Sequence, residues 1–259
     1  MNIILQSPST AETAAVRTAV MLMDAGAATV RNALIEALDG HVDLLRAGAL
    51  PVGSVEFVRR AMELAGIPEP QNLSYPPGCH EFLGRSVERR TSGEVLAAGA
   101  EVFVKPVATK LFNGFVLRPQ ADAADVDEHD REQLKILWQL PLTTLVYASP
   151  VVEFQSEWRY YVQGGEVIGR ARYDADGPED AKEPDEGVLR RCIEALAIGH
   201  PHALDMGVLV DGSTILVEAN DGWGLGLYRG AMKPAAYLNF LAQRWESLYI
   251  PKPRKAPAP

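Results

Sequence analysis

Two glycine-centred turns in the second half of the chain constrain its fold most strongly. Gly164-Gly165 and Asp211-Gly212-Ser213 each separate two runs with β-strand character. The four runs are residues 157–163, 166–172, 206–210 and 214–219. Glycine turns between such runs predict β-hairpins, because the positive φ angles of these turns match the twist of the flanking strands. The second half is therefore predicted to contain antiparallel sheet.

Other segments of the second half alternate between strand and helix patterns. Short β-branched and aromatic runs predict further strands at residues 102–104, 114–117 and 142–147. One helix is predicted over residues 186–198 and ends at Gly199, and another is predicted from Pro234 through Leu248. Hairpins mixed with helices are typical of the α+β class.

The first third of the chain has an α/β pattern. A buried strand is predicted at residues 2–5 and helices at residues 11–24 and 30–38. A third helix is predicted between a capping Ser54 and Gly66. The proline-rich stretch 68–78 predicts a connection without regular structure. We therefore expect an N-terminal α/β lobe at residues 1–78, a larger domain at 79–250, and a disordered tail at 251–259.

Composition and charge narrow the functional classes. The chain has 259 residues, of which 47% are hydrophobic, and a formal net charge of −9. A general nucleic-acid binder needs basic surface to neutralise phosphates, so we expect no nucleic-acid partner. Residues 122–132 carry a net charge of −5 and residues 174–186 carry −6, so the rest of the chain is slightly basic at +2. Both acidic segments are predicted to be solvated loops.

The cysteines and the apolar runs bear on location. Two isolated cysteines, Cys79 and Cys192, cannot form a disulfide framework for a chain of this length, which favours a reducing compartment. The N-terminal apolar run is too short for a signal peptide, and no run approaches the roughly 18 apolar residues of a membrane span. We therefore expect a soluble cytoplasmic protein without a membrane partner.

The second hairpin carries a cluster of oxygen ligands. Asp205 begins its first strand, and Glu218 and Asn220 lie near the end of its second strand. Side chains two residues apart point to one face, and the turn brings Asp205 back beside them. Two carboxylates and an amide oxygen suit magnesium. The alternative is a hairpin with polar ends, although Glu218 closes an apolar run where an unpaired carboxylate is costly to bury.

This Asp, Glu-x-Asn order resembles the ATP-grasp superfamily, in which these residues hold the magnesium ions that bridge ATP phosphates. The resemblance implies two α+β lobes whose antiparallel sheets sandwich ATP. Upstream, Phe103-Val104-Lys105-Pro106 is similar to the strand that ends in the phosphate-binding lysine of the family. Lys110, in the loop 107–114, would supply a second cation. The alternative for Lys105 is an exposed lysine at a strand end.

Residues 146–153 resemble the hinge that lines the adenine pocket of this superfamily. The resemblance implies nucleotide contacts from four hinge residues and from one carboxylate that binds the ribose. These residues are Ser149, Val151, Val152 and Glu153 in the hinge, and Glu157 for the ribose.

Two arginines on the first hairpin are candidates for holding a phosphate. Arg159 and Arg172 would bind the γ-phosphate or an acyl phosphate and, together with Lys105, would be catalytic. The alternative is cross-strand salt bridges. The arrangement is closest to the ATP-grasp clade named for two arginines and a lysine. Many ATP-grasp ligases have another lysine upstream, but no lysine precedes Lys105 here, and Arg85, Arg89 or Arg90 would replace it.

The resemblance implies an ATP- and magnesium-dependent ligase that joins a carboxylate to an amine, either amino acid or peptide, through an acyl phosphate. One alternative is a phosphotransferase on the same fold, whose product keeps the phosphate. Another is a non-catalytic nucleotide-binding protein, which binds ATP without consuming it. The sequence does not define the substrates or the oligomeric state.

Overall fold

The N-terminal part of the chain is a small parallel sheet with helices. The fold is given by a computed structural model that describes residues 1–119, 126–174 and 180–249. The strands are β1 (Asn2–Gln6), β2 (Thr29–Ala33) and β3 (Leu50–Val52), in the order β2-β1-β3. The helices are α1 (Ala11–Met21), α2 (Val42–Arg46) and α3 (Val55–Ala65), with a 3₁₀ helix at Ile35–His41. Ile3, Ile4 and Leu5 in the central strand are fully buried, as a strand covered on both faces requires.

The predicted helix over residues 30–38 is wrong. This segment begins as strand β2, whose Val30 pairs with Ile3 of β1, and it becomes a 3₁₀ helix only from Ile35. Helix α1 supplies the crossover that two parallel strands need. Pairing with a distant strand overrides local helix propensity here. The sequence of the segment by itself does not show that this pairing forms.

The predicted helix after Ser54 is confirmed at both ends. The Ser54 hydroxyl accepts a hydrogen bond from the backbone N–H of Phe57 at 3.3 Å. Gly66 ends α3 in the left-handed conformation, with φ at 76°. Both features satisfy backbone groups that a helix end leaves unpaired. The following stretch, 68–78, contains no helix, and a β-bridge joins its Ser74 to Ala219.

The second sheet contains both predicted hairpins. Its strands are β8 (Phe154–Gln163), β9 (Glu166–Arg172), β10 (His202–Leu209) and β11 (Thr214–Asp221), in the antiparallel order β11-β10-β8-β9. Helix α6 (Glu186–Leu196) covers one face through Leu189 and Cys192, which share a core with Leu204 and Met206. Helix α7 (Pro234–Leu248) covers the other face and also packs against the N-terminal sheet.

The strands of the third sheet come from the part of the sequence between those of the other two sheets. Its strands are β4 (Glu88–Thr91), β5 (Val102–Pro106), β6 (Phe115–Leu117) and β7 (Leu145–Ser149), in the order β4-β7-β5-β6. Helices α4 (Ser92–Ala97) and α5 (Glu128–Gln139) accompany it, and Val95 and Leu137 from these helices enter its core. The α+β class with antiparallel sheets is therefore confirmed, whereas the division at residue 78 stays a prediction.

The solvated-loop prediction for residues 122–132 is wrong for most of its described part. Helix α5 begins at Glu128, and the Asp127 side chain caps it by accepting from the backbone N–H of His129 at 2.7 Å. Acidic residues in the first turn of a helix favour it electrostatically, so these charges form a helix start. Residues 120–125 and 175–179 and the tail predicted to be disordered lie outside the described residues. Within the described ranges, no helix is long and apolar enough to span a lipid bilayer.

Candidate active site

The predicted hinge lines a cavity between the two antiparallel sheets. Ser149, Val151, Val152 and Glu157 all contact this cavity, which has a volume of about 230 Å³. Its remaining walls are Arg85, Phe103, Val116, Pro150, Phe154 and Val217. Glu153 does not line it and is exposed, so the structure does not bring this predicted residue to the cavity. A mostly apolar cavity with a few polar groups is typical of a small-molecule site.

Glu157 is one of the polar residues that line this cavity. It accepts a hydrogen bond from the Tyr173 hydroxyl at 3.2 Å. Burial raises the pKa of Glu157 above its usual value. Burial also raises the pKa of Tyr173, so this tyrosine stays a hydrogen-bond donor.

The hairpin of β10 and β11 brings the three predicted metal ligands together. Asp205 lies directly opposite Glu218, and a bulge leaves Val217 without a partner in the register. The amide nitrogen of Asn220 donates to Oδ2 of Asp205 at 3.0 Å. A bulge re-aims the side chains beside it, which lets Glu218 face the cleft.

A cation neutralises each of the two carboxylates. Arg159 on β8 donates two hydrogen bonds of 2.7 Å to the two oxygens of Asp205. Lys105 on β5 forms an ion pair with Glu218 and so joins the two sheets. The Lys105 side chain is only 14% exposed, which rules out the alternative of an exposed strand-end lysine.

Burial and these ion pairs set the protonation states. Burial raises the pKa of Asp205, and Arg159 offsets this rise only in part. Burial also pushes the pKa of Glu218 upward, but nearby Lys105 and Arg159 outweigh burial and lower that pKa. Burial opposes the charged form of Lys105, yet Glu218 outweighs burial and raises the pKa of this lysine. Lys105 and Glu218 are therefore both held in their charged forms.

The loop 107–114 follows Lys105 and faces the same carboxylates. Thr109, Lys110 and Gly114 line a small cavity together with Glu218 and Asn220. Lys110 itself is exposed and has a positive φ of 60°. The structure thus brings both predicted phosphate-binding lysines to one end of the cleft.

Arg172 does not join this cluster. It lies opposite Trp158 in the β8–β9 register, whereas Arg159 lies opposite Ala171, so the two arginines point to opposite faces of the sheet. The Arg172 guanidinium binds Asp174 through hydrogen bonds of 2.6 and 2.8 Å. The predicted pairing of Arg159 with Arg172 is therefore wrong, because the hairpin register shifts their alternation by one residue.

Of the three arginines considered as replacements for an upstream lysine, Arg85 lines the cavity beside the hinge. Its guanidinium donates to the carbonyl oxygens of Leu83, Leu216 and Val217 at 3.0 to 3.2 Å. Arg90 instead pairs with Glu88, and Arg89 is exposed. Arg85 therefore holds the bulge that precedes Glu218.

A second cavity of about 330 Å³ is lined by Arg159. Its wall includes the glycine-rich loop 222–228 and the N-terminal residues Glu12 and Val55. The hydroxyls of Tyr161 and Tyr237 donate to the carbonyl oxygens of Gly226 and Leu225, at 2.8 and 2.6 Å. Sequence reasoning missed Glu12, which accepts from the backbone N–H of Leu227 at 3.1 Å. No local signal identifies Glu12, because 215 residues separate it from its partner.

An aromatic pair connects the two cavities. The rings of Tyr173 and Tyr228 stack with centroids 5.2 Å apart. The Arg159 guanidinium lies 5.0 Å from the Tyr228 centroid and 6.0 Å from that of Tyr173. Cation–π contacts of this kind fix the plane of a guanidinium and help to keep it charged.

The donor set of the hairpin fits magnesium in its chemistry. Magnesium takes one or two protein carboxylates together with phosphate oxygens, and Glu218, Asp205 and the Asn220 amide provide hard oxygens on one face. Among the described residues, no group of three or more His, Cys, Asp or Glu side chains is placed to hold a metal. The predicted set therefore depends on the amide as its third ligand and on displacement of Arg159 or Lys105 from a carboxylate.

Solved structures with a similar fold include two ligases and a synthetase. The L-amino acid ligase from Bacillus licheniformis has a TM-score of 0.53 at 13% identity, over 93% of this chain and 75% of that chain. D-alanine–D-alanine ligase from Bacillus anthracis has a TM-score of 0.51 at 12% identity, over 95% of this chain and 97% of that chain. D-cycloserine synthetase DcsG has a TM-score of 0.51 at 16% identity, over 96% of this chain and 100% of that chain. At these identities the likeness establishes a shared fold.

Sequence comparison identifies the family. No curated protein matches the chain. The model of an ATP-grasp domain family, the second family of the clade named for two arginines and a lysine, matches residues 82–240. This stretch includes both antiparallel sheets. Because the match spans more than half of the chain, the protein belongs to the ATP-grasp superfamily, in the second family of that clade.

Proposed function

We propose that this protein is an ATP- and magnesium-dependent ligase that joins a carboxylate to an amine through an acyl phosphate. One observation carries the proposal. Lys105 and Arg159 are each buried beside a carboxylate and line two adjoining cavities, and Glu218 lines both of these cavities. A phosphate held by these two cations would lie beside the predicted metal ligands and beside the second cavity, where another reactant would bind. The similar structures are named as ligases or a synthetase, including an L-amino acid ligase, which supports the same class of reaction.

The nucleotide would occupy the cavity beside the hinge. Backbone groups around Ser149, Val151 and Val152 would face the base, and Glu157 would bind the ribose. Lys105 and Lys110 would hold the phosphates, and their fixed charges would offset the charge that develops during transfer. Asp205, Glu218 and Asn220 would hold magnesium, which supplies charge neutralisation to the phosphates when bound.

The reaction would proceed in two balanced steps. A substrate carboxylate oxygen attacks the γ-phosphorus, the bond to the β-bridging oxygen breaks, and ADP leaves. The amine then attacks the acyl carbon, the acyl–phosphate bond breaks, and the amine loses a proton as inorganic phosphate is released. Arg159 would bind the phosphate of the intermediate, and the cavity beyond it would hold the amine. Small molecules and peptides both fit this substrate class.

Measurement of ATP turnover tests the proposal. The protein is incubated with ATP, magnesium and pools of amino acids and short peptides, while ADP, phosphate and new amide masses are recorded. Glu218→Gln should lower ADP formation by at least about 100-fold, because it removes a charge that organises the site. Glu63→Gln is the control, since Glu63 is an exposed glutamate that pairs with Arg60 on α3. Equal ATP turnover in wild type and Glu218→Gln would contradict the proposal. A stable phosphorylated product would indicate a phosphotransferase.

A further inference from the structure

The phosphate-facing loop 107–114 is held from outside its own sheet. The amide nitrogen of Asn72 donates to the carbonyl oxygen of Val107 at 3.1 Å. Arg59 on α3 donates through Nη2 to the carbonyl oxygen of Thr109, also at 3.1 Å. Both donors precede the first strand of the sheet that carries the loop. Thr109 thus links the N-terminal part of the chain to Lys110, the next residue.

The guanidinium of Arg59 is fixed in orientation before it reaches the loop. Its Nε and Nη2 atoms donate to the two carboxylate oxygens of Glu69 at 2.7 and 3.0 Å. A forked pair of this kind restrains a guanidinium far more than a single contact does. The Arg59 side chain is 27% exposed, so most of it is shielded from solvent. Its contact with Thr109 is therefore a fixed feature of this surface.

The backbone conformation of Lys110 depends on restraints such as the hydrogen bond from Arg59 to Thr109. Lys110 has a φ of 60°, in the left-handed region that residues with a Cβ seldom adopt. A backbone in this region persists when its surroundings hold it there. Thr109 and Lys110 line both the small cavity beside Glu218 and Asn220 and the second cavity. A shift of the Thr109 carbonyl would therefore move the Lys110 side chain relative to both.

We propose that Arg59 is a positioning residue that sets the place of Lys110 by holding the Thr109 carbonyl. Helix α3 and the phosphate-facing loop then act as one unit, although they belong to different parts of the fold. This inference rests on the proposed function in one respect, namely that Lys110 binds nucleotide phosphate.

Two variants of Arg59 separate its hydrogen bond from its charge. Arg59→Gln removes both the ion pair with Glu69 and the hydrogen bond to the Thr109 carbonyl. Arg59→Lys keeps the ion pair with Glu69 but cannot also reach Thr109. Each should weaken the binding of ATP with magnesium, measured by isothermal titration calorimetry, by about fivefold, the effect of one hydrogen bond. The matched control is Arg60→Gln on the same helix, because Arg60 donates to Glu63 and Asp39. It should leave the dissociation constant unchanged.

A double-mutant cycle with Lys110→Ala shows whether Arg59 acts through Lys110. Lys110→Ala alone should weaken nucleotide binding, and Arg59→Gln should add nothing further in that background. Two outcomes would overturn the role of Arg59 and leave that of Lys110 intact. One is that the losses of affinity in the two single variants add up in the double variant. The other is that both Arg59 variants bind with wild-type affinity while Lys110→Ala binds more weakly. Wild-type affinity in Lys110→Ala would overturn both this inference and the proposed role of Lys110. Unfolding midpoints of Arg59→Gln and Arg60→Gln separate an effect on binding from a loss of fold, and Arg59→Lys carries the test if Arg59→Gln does not fold.

Discussion

Three carboxylates of the cleft are each paired with a basic side chain. Asp205 pairs with Arg159 and Glu218 with Lys105, while Asp221 beside them pairs with Arg244 at 2.6 Å. A buried charge that loses its partner is costly, because water no longer solvates it. A ligand that enters this cleft must therefore replace one partner with another. Phosphate and magnesium together meet that requirement, since one is an anion and the other a cation.

The Asp205–Arg159 pair predicts a large effect on stability. Asp205 is 3% and Arg159 is 11% exposed, so Asp205→Ala leaves a buried guanidinium without its counter-ion. We expect the free energy of unfolding to fall by about 3 kcal/mol in urea denaturation. Asp39→Ala is the control, because the Asp39–Arg60 pair is largely exposed and is worth less than about 1 kcal/mol. Similar losses in the two variants would contradict the account of a buried pair.

Some residues of the candidate site could be predicted from the sequence, and others could not. Asp205, Glu218 and Asn220 lie on one hairpin, so their spacing and a short turn are enough to place them together. The face of Arg172 escapes prediction, because it depends on the hairpin register, which shifts at a bulge between Tyr161 and Val162. Arg85 and Glu12 act through backbone groups that lie 131 and 215 residues away in the chain, and no local pattern encodes such contacts.

At the scale of elements, the strand β10 passes close behind the cavity beside the hinge. A Cβ atom on Gly207 would lie 2.3 Å from the ring of Phe154, which forms a wall of that cavity. Glycine is required where a neighbouring group approaches the backbone this closely. The strand therefore shapes the cavity without lining it.

Gly207→Ala should reduce the cavity by pushing Phe154 into it. We expect weaker binding of ATP by about tenfold, together with a loss of about 1–3 kcal/mol in stability from overpacking. Calorimetric titration and urea denaturation measure the two effects. Gly199→Ala is the matched control, because nothing lies within 4 Å of its added Cβ. Unchanged nucleotide affinity in Gly207→Ala would show that Phe154 does not border the nucleotide.

Elements with complete local signals can be predicted from the sequence, and those that depend on distant pairing cannot. Helix α3 and the two hairpins carry their own caps and turns, so the sequence alone locates them. Strand β4 reads Glu-Arg-Arg-Thr and has no apolar pattern, because it is a charged edge strand paired with β7. Helix α5 escapes prediction because its acidic first turn has the composition of a solvated loop.

At the scale of the whole molecule, the cleft lies between two antiparallel sheets and is closed at one end by the N-terminal part. The described residues of the two acidic segments line none of the three cavities in this cleft. The net charge of −9 is therefore compatible with an anionic ligand, because Lys105, Lys110 and Arg159 line these cavities whereas the described acidic segments do not. Net charge describes solubility and long-range attraction, while local pairs determine what the cleft binds.

The central claim is that a substrate carboxylate attacks the γ-phosphate of ATP. The most direct test uses a carboxylate substrate found in the turnover screen and labelled with ¹⁸O in its carboxyl group. Mass spectrometry of the inorganic phosphate released with the amide should show one labelled oxygen per turnover, because the acyl–phosphate bond breaks between carbon and oxygen. Unlabelled phosphate, formed alongside the amide, would contradict the account.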